Sequence, residues 1–70
     1  MKTNYYAMYL DYIAIAKTNV NKCTARAACL FIGKASVYLD LAYQHCEING
    51  SLYRDHIKAI DELFYEALGV

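Results

Sequence analysis

The side chains that could take part in catalysis are few and scattered along the sequence. The two histidines, His45 and His56, both fall on or beside apolar faces of predicted helices, where a histidine usually packs or caps a helix end. Neither Ser36 nor Ser51 has a base beside it to activate its hydroxyl. The segment GKAS, residues 33–36, lacks the first glycine of a phosphate-binding P-loop. The sequence therefore predicts that the chain is not an enzyme and holds no cofactor.

The three cysteines, Cys23, Cys29 and Cys46, form neither a disulfide framework nor a zinc motif. Their number is odd and no short spacing is repeated, whereas a structural zinc site requires paired spacings such as C-x2-C. Reduced thiols that are mostly buried are the ordinary state of such cysteines in the cytoplasm. We expect a cytoplasmic protein with no metal site.

The elements that must position these side chains are predicted to be helices. The chain has no proline and three glycines among 70 residues, and its apolar residues recur at helical spacing rather than in alternation. Helix 1 is predicted over residues 4–17, capped by Thr3 or Asn4. Helix 2 is predicted from residue 21 or 22 to residue 48, with Gly50 in the left-handed position that ends it. Helix 3 is predicted over residues 51–68, capped by Ser51.

The expected architecture is one all-α domain, residues 1–70, built as a small three-helix bundle. A break of helix 2 at Gly33 would give four helices instead. Helices 1 and 2 carry apolar arcs about twice as wide as the ~100° that a surface helix needs to cover a core. Because 59% of the residues are hydrophobic and only 20% are charged, we expect the excess apolar surface to be covered by association into a homodimer or a complex.

Four of the eight tyrosines lie within the first twelve residues, and three of them recur on one side of helix 1. Tyrosine combines a large ring with a polar tip, so it tolerates half-burial and is common at protein interfaces. We predict that these three residues form a contact stripe for a partner, although packing of the same rings in the core is the simpler alternative. The predicted stripe consists of Tyr5, Tyr9 and Tyr12.

The charges are distributed unevenly although the formal net charge is zero. The first half of the chain is basic and the second half is acidic, which either orients a partner or reflects charge complementarity within the bundle. Three acids fall in the last two turns of helix 3, where the helix dipole disfavours negative charge. We predict that this end recognises a basic partner, and the residues concerned are Asp61, Glu62 and Glu66.

If helix 2 breaks at Gly33, its two halves resemble a helix-turn-helix, whose turn often contains glycine. The alternative function is then binding of nucleic acid. Its second helix, SVYLDLAYQHCE, has two acids and neither lysine nor arginine, which is unsuited to contact with phosphates. Nucleic acid is therefore an unlikely partner. The basic residues that this alternative would use are Lys17, Lys22, Arg26 and Lys34.

A peripheral membrane role is the other alternative, because helix 1 is amphipathic and aromatic. Interfacial helices usually carry a richer basic face, and no uncharged run in the sequence approaches the 18 residues of a membrane span. The favoured function is a non-catalytic protein-binding module that occupies a client's surface as an inhibitor, adaptor or regulatory subunit. Compact chains of this size are common among phage and plasmid accessory proteins, which is the origin we expect.

Overall fold

A computed structural model describes residues 4–20 and 25–69, and these residues form three helices. Helix α1 spans Tyr5–Asn19, α2 spans Ala25–Gln44 and α3 spans Gly50–Leu68, with no strand in the described part of the chain. The all-α, three-helix prediction is confirmed at this level. Association into a homodimer or a complex stays a prediction.

Two asparagines cap the helices and set where they begin. The Asn4 side chain accepts a hydrogen bond from the Ala7 N–H at 3.0 Å, as predicted for α1. At α3 the cap is Asn49, whose side chain accepts from the Leu52 N–H at 2.8 Å. The prediction of a Ser51 cap is therefore wrong by two residues, because asparagine supplies the same acceptor earlier in the chain. The alternative cap Thr3 lies outside the described residues.

The end of α2 differs from the prediction, because the left-handed residue is Cys46 and not Gly50. Cys46 has φ of 60°. The Glu47 N–H donates to the Ala42 carbonyl at 2.8 Å and the Cys46 N–H donates to the Tyr43 carbonyl at 3.1 Å. These two bonds form a Schellman motif, which stops the helix after Gln44. Gly50 is instead the first residue of α3.

Helix α2 continues through Gly33 without a break, so the four-helix alternative is wrong. With 20 and 19 residues, α2 and α3 are each about 30 Å long, since an α-helix rises 1.5 Å per residue. The predicted start of helix 2 at residue 21 or 22 lies outside the described residues. Over the described residues, α2 is one residue longer than α3.

Helix α2 lies at the centre of the bundle and runs antiparallel to both neighbours. Tyr5, at the start of α1, packs against His45 just beyond the end of α2, and Tyr53, near the start of α3, packs against Tyr43 in the last turn of α2. The face of α2 towards the core carries an alanine at every seventh residue, with two larger side chains between them. These five fully buried residues are Ala28, Ile32, Ala35, Leu39 and Ala42.

The core is completed by one face from each outer helix and by the connection after α2. Among the described residues, five of the thirteen buried core side chains are alanine, and the largest that is almost fully buried is Tyr9, which is 2% exposed. The buried residues outside α2 are Tyr9, Ile13, Ala16, Val20, Ile48, Ile60, Leu63 and Ala67.

Among the described residues, no helix has the length and apolar content that crossing a membrane requires.

Candidate functional site

The side chains of Tyr6 and Tyr9 hold the ring of His56 between them. The Tyr6 hydroxyl lies 3.0 Å from Nε2 of His56, and the Tyr9 hydroxyl lies 3.2 Å from Nδ1. A neutral imidazole donates from one ring nitrogen and accepts at the other, so both hydroxyls are satisfied in either tautomer. Because both ring nitrogens are hydrogen-bonded to hydroxyls of α1, this histidine joins α1 to α3.

Burial raises the pKa of the Tyr9 hydroxyl above its ordinary value, and the neighbouring Tyr6 raises it further. The folded chain therefore holds this proton more tightly than the unfolded chain, whose tyrosines titrate near pH 10. The stabilisation is fully present below about pH 10 and is lost as the pH rises through the higher pKa of the folded state.

We expect the melting temperature to fall as the pH is raised from 9 to 11, and to fall less steeply in Tyr9→Phe. Thermal melts followed by circular dichroism at pH 8, 9, 10 and 11 check this expectation. Tyr65→Phe is the matched control, because Tyr65 is exposed and its loss leaves the slope unchanged. Equal slopes for Tyr9→Phe and the wild type would show that Tyr9 does not contribute to the alkaline loss.

Tyr5 and Tyr12 are half-buried and both make ring contacts with α2 or the residue that follows it. The Tyr5 ring lies 4.9 Å from the His45 ring, and Tyr12 stacks on Tyr38 with centroids 5.3 Å apart. Lys34 Nζ lies 5.8 Å from the centroid of the Tyr12 ring, at cation–π distance. The tyrosines at the N-terminus therefore bind α1 to the rest of the chain. Tyr9 is buried and has no surface for a partner, whereas contact by the open parts of Tyr5 and Tyr12 stays a prediction.

The N-terminus of α1 is capped by a carboxylate from a distant part of the chain. Glu47 accepts hydrogen bonds from the backbone N–H groups of Tyr5 and Tyr6, at 3.2 and 2.9 Å. A negative charge at this position compensates both the free N–H groups and the positive end of the helix dipole. Sequence reasoning missed this role of Glu47. The available signal was that the first turn of α1 contains no acid of its own.

Another hydrogen-bonded tyrosine, Tyr53, joins α3 to α2. The Tyr53 hydroxyl donates to Oδ1 of Asp40 at 2.6 Å, and its ring stacks on Tyr43 with centroids 4.5 Å apart. The bond to Asp40 is the main cause that raises the pKa of the Tyr53 hydroxyl, with smaller contributions from burial, the Asp40 charge and Tyr43. The bond also fixes the Asp40 carboxylate on the α3 side of α2.

The three acids predicted at the end of α3 are all exposed, and they surround an exposed aromatic ring. Tyr65, which is 60% exposed, stands one turn after Asp61 and Glu62 on the same side of the helix. Leu68, one turn further on, is 57% exposed. We call these residues with Glu66 the Tyr65 patch: Asp61, Glu62, Tyr65, Glu66 and Leu68.

Two of these acids also face the basic end of α1. Glu62 and Glu66 line a groove of about 310 Å³ between α1 and α3, together with Lys17, Val20 and Leu63. The structure thus brings Lys17 and two of the predicted acids to one groove and leaves Asp61 outside it. Part of the charge asymmetry along the sequence is therefore complementary within the bundle.

The basic residues of the nucleic-acid alternative do not form one cluster. Lys17 lines the groove beside α3, Lys34 lies at the Tyr12 ring and Arg26 is exposed near the start of α2. Lys22 lies outside the described residues. Since α2 is continuous through Gly33, the helix-turn-helix that was to organise these residues is absent from it.

Two free cysteines are described, Cys29 half-buried in α2 and Cys46 exposed after it, whereas Cys23 lies outside the described residues. In the ranges 4–20 and 25–69, no three His, Cys, Asp or Glu side chains converge in a way that could hold a metal ion. The exposure of Cys46 differs from the expectation of mostly buried thiols. Cys46 lies in the turn after the last residue of α2, Gln44, and has a positive φ.

Comparison with known proteins gives no relative: no family model matches the sequence, and neither curated proteins nor solved structures match it significantly.

Proposed function

We propose that this chain is a non-catalytic protein-binding module that acts by occupying the surface of a client, as an inhibitor, adaptor or regulatory subunit. The observation that carries the proposal is the Tyr65 patch. An exposed tyrosine and an exposed leucine there are bordered by three carboxylates on the last two turns of α3. The client that fits this surface presents an apolar pocket within a basic surrounding.

The aromatic ring of Tyr65 supplies the affinity in this proposal. Tyrosine is enriched among the few interface residues that contribute most of the binding free energy, because its ring buries a large area and loses little conformational entropy. The side chain of Tyr65 is 60% exposed, so most of its ring is not packed within the bundle. Exposing this apolar ring to water is unfavourable in free energy, and binding to a client would remove that cost.

The carboxylates supply orientation and rate. Acids near a helix C-terminus each cost the isolated helix about 0.3–1 kcal/mol at low salt, so their presence is not explained by helix stability. Complementary charge across an interface mainly speeds the encounter and excludes wrong partners. The groove residue Lys17 offsets Glu62 and Glu66 from one side, whereas Asp61 lines a second depression on α3 together with Arg54 and Lys58.

The absence of catalysis and the choice of a protein client have further support. Both nitrogens of His56 are engaged by tyrosine hydroxyls, and the His45 ring packs against the Tyr5 ring with centroids 4.9 Å apart. Because α2 is continuous through Gly33, the turn that a helix-turn-helix requires at this position is missing. These observations support a function at the surface of the chain.

The test is capture of a client from an extract of the native host by immobilised chain, followed by mass spectrometry. We expect a protein that the wild type enriches to be reduced about tenfold or more by Tyr65→Ala, as for a central interface tyrosine. The combined variant Asp61→Asn, Glu62→Gln and Glu66→Gln should weaken capture at low salt, chiefly by slowing association of the purified client.

Asp55→Asn is the matched control, because Asp55 is an exposed acid on α3 at the opposite end from the Tyr65 patch. It should leave capture unchanged. A client that Tyr65→Ala and the neutralised triple variant both retain at wild-type level would overturn the proposal.

A further inference from the structure

Gly33 lies in the middle of α2 although nothing inside the chain requires a glycine there. A glycine in a helix interior is unfavourable relative to alanine because it loses more backbone entropy on folding. Its φ is not positive, and a Cβ built on Gly33 would meet no atom within 4 Å. The cost is therefore without compensation in the isolated chain, and a close approach by another backbone would explain it.

On the same side of α2 as Gly33, exposed apolar residues lie at the centre and charged residues lie at the ends, with Arg26 exposed and Asp40 half-buried. Leu30, three residues before it, is 64% exposed, and Val37, four residues after it, is 58% exposed. Arg26 and Asp40 lie seven residues before and after, about two helical turns or 10 Å away on each side. We call this surface the Gly33 face: Arg26, Leu30, Gly33, Val37 and Asp40.

We infer that the Gly33 face binds the Gly33 face of a second copy of this chain, with the two α2 helices antiparallel and the twofold axis at Gly33. Such an interface is isologous, so every contact occurs twice. Leu30 then packs on the partner's Val37, and Arg26 lies opposite the partner's Asp40. The missing side chain at Gly33 lets the two helices come close at the axis.

The charges decide the direction of the second copy. A parallel arrangement would place Arg26 beside the partner's Arg26 and Asp40 beside the partner's Asp40, two like-charge pairs. The antiparallel arrangement converts both into opposite-charge pairs. The Tyr53 hydroxyl of α3 donates to Oδ1 of Asp40 at 2.6 Å and thereby holds the carboxylate at the α3 edge of this face, with Oδ2 assigned to the partner's Arg26.

This inference does not depend on the Tyr65 patch, which lies on another helix and remains free in the proposed dimer. A single helix face is a small interface, so the dissociation constant should be in the micromolar range. Tyr65→Ala should dimerise as the wild type does. Loss of client capture and loss of dimerisation are thus separate results.

The test is sedimentation velocity of the wild-type chain over a range of concentration from about 1 to 200 µM, with charge-reversal variants. Arg26→Asp alone and Asp40→Arg alone should each weaken dimerisation about tenfold or more, because each creates two like-charge pairs. The double variant restores both opposite-charge pairs and should return to within about threefold of the wild type. Recovery in the double variant is a result that a merely structural role of either residue would not give.

Gly33→Ala is the second variant, and it keeps the inference testable if Asp40→Arg fails to fold after losing the bond from Tyr53. It should raise the melting temperature of the monomer at low concentration and weaken dimerisation about tenfold, because the two added methyl groups meet at the axis. A wild type that stays monomeric at about 200 µM overturns the inference. So does a dimer whose dissociation constant Arg26→Asp and Gly33→Ala leave unchanged.

Discussion

Tyr9→Ala is expected to cost about 3–5 kcal/mol of unfolding free energy, the range found when a large buried aromatic ring is removed. The Tyr9 ring is 2% exposed and is the largest side chain of a core otherwise built from alanines and aliphatic residues. Its hydroxyl also occupies Nδ1 of His56 at 3.2 Å. A 70-residue core rarely supplies more than about 3–5 kcal/mol in total, so the variant should be largely unfolded at 25 °C.

Urea denaturation followed by circular dichroism measures this change, and Tyr9→Phe separates its two causes. The phenylalanine variant keeps the ring and removes only the hydroxyl, so it should lose about 1–2 kcal/mol by leaving a ring nitrogen of His56 without its partner. Tyr65→Ala, an exposed tyrosine, should stay within about 0.5 kcal/mol of the wild type. A Tyr9→Ala variant as stable as Tyr65→Ala would mean that the stripe of tyrosines on α1 faces outward.

The helices were predictable because their cause is local. Apolar residues at spacings of three and four, with asparagine and glycine at the ends, specify a helix within any window of 15 residues. The errors are local too, and each has one physical reason. Gly50 appeared to end α2, but the helix ended earlier in a Schellman motif with Cys46 in the left-handed position, where cysteine is rare.

The role of the tyrosines was not predictable because it depends on partners 40 to 50 residues away. Nothing in the segment that contains Tyr6 and Tyr9 indicates that His56 will lie between their hydroxyls, or that Glu47 will cap the helix they begin. The width of the apolar arc suggested an outside partner for α1. The structure shows inside partners for four of its tyrosines, Tyr5, Tyr6, Tyr9 and Tyr12, whereas Leu10 and Ile15 of the same arc are exposed, so association through α1 stays a prediction.

The acids at the end of α3 were predictable as an exposed cluster, because charge on the polar side of an amphipathic helix is a local property. That Glu62 and Glu66 share a groove with Lys17 was not, since it requires the relative placement of α1 and α3. The exposure of Tyr65 was not predictable for the same reason. The sequence places this tyrosine near apolar residues, but which of them face the core depends on how α3 packs against the other helices.

The buried alanines of α2 contribute to the core through their small size, whereas Tyr9 contributes through a large ring. Small side chains set how close the helices lie. Ala28, Ala35 and Ala42 are fully buried at seven-residue intervals, so they place the same face of α2 against its neighbours on every second turn. Small side chains at a contact allow a short distance between helix axes. The ring of Tyr9 fits a bundle with that spacing, and a larger residue on α2 would compete with it for space.

Ala35→Leu is therefore expected to destabilise the bundle by about 1–3 kcal/mol, even though it adds apolar area and leucine is a good helix former. Ala35 has no exposed surface, and it lies between Ile32 and Leu39, which have none either. The added carbons can be accommodated only by off-rotamer side chains or by displacing a neighbouring helix. Ala14→Leu on the exposed side of α1 is the matched control and should change the unfolding free energy by less than about 0.5 kcal/mol. Urea titrations of both variants, analysed with a common slope, distinguish the two sites. If Ala35→Leu instead proved more stable than the wild type, the bundle would contain unfilled space at its centre, and the close spacing attributed to the alanines would be wrong.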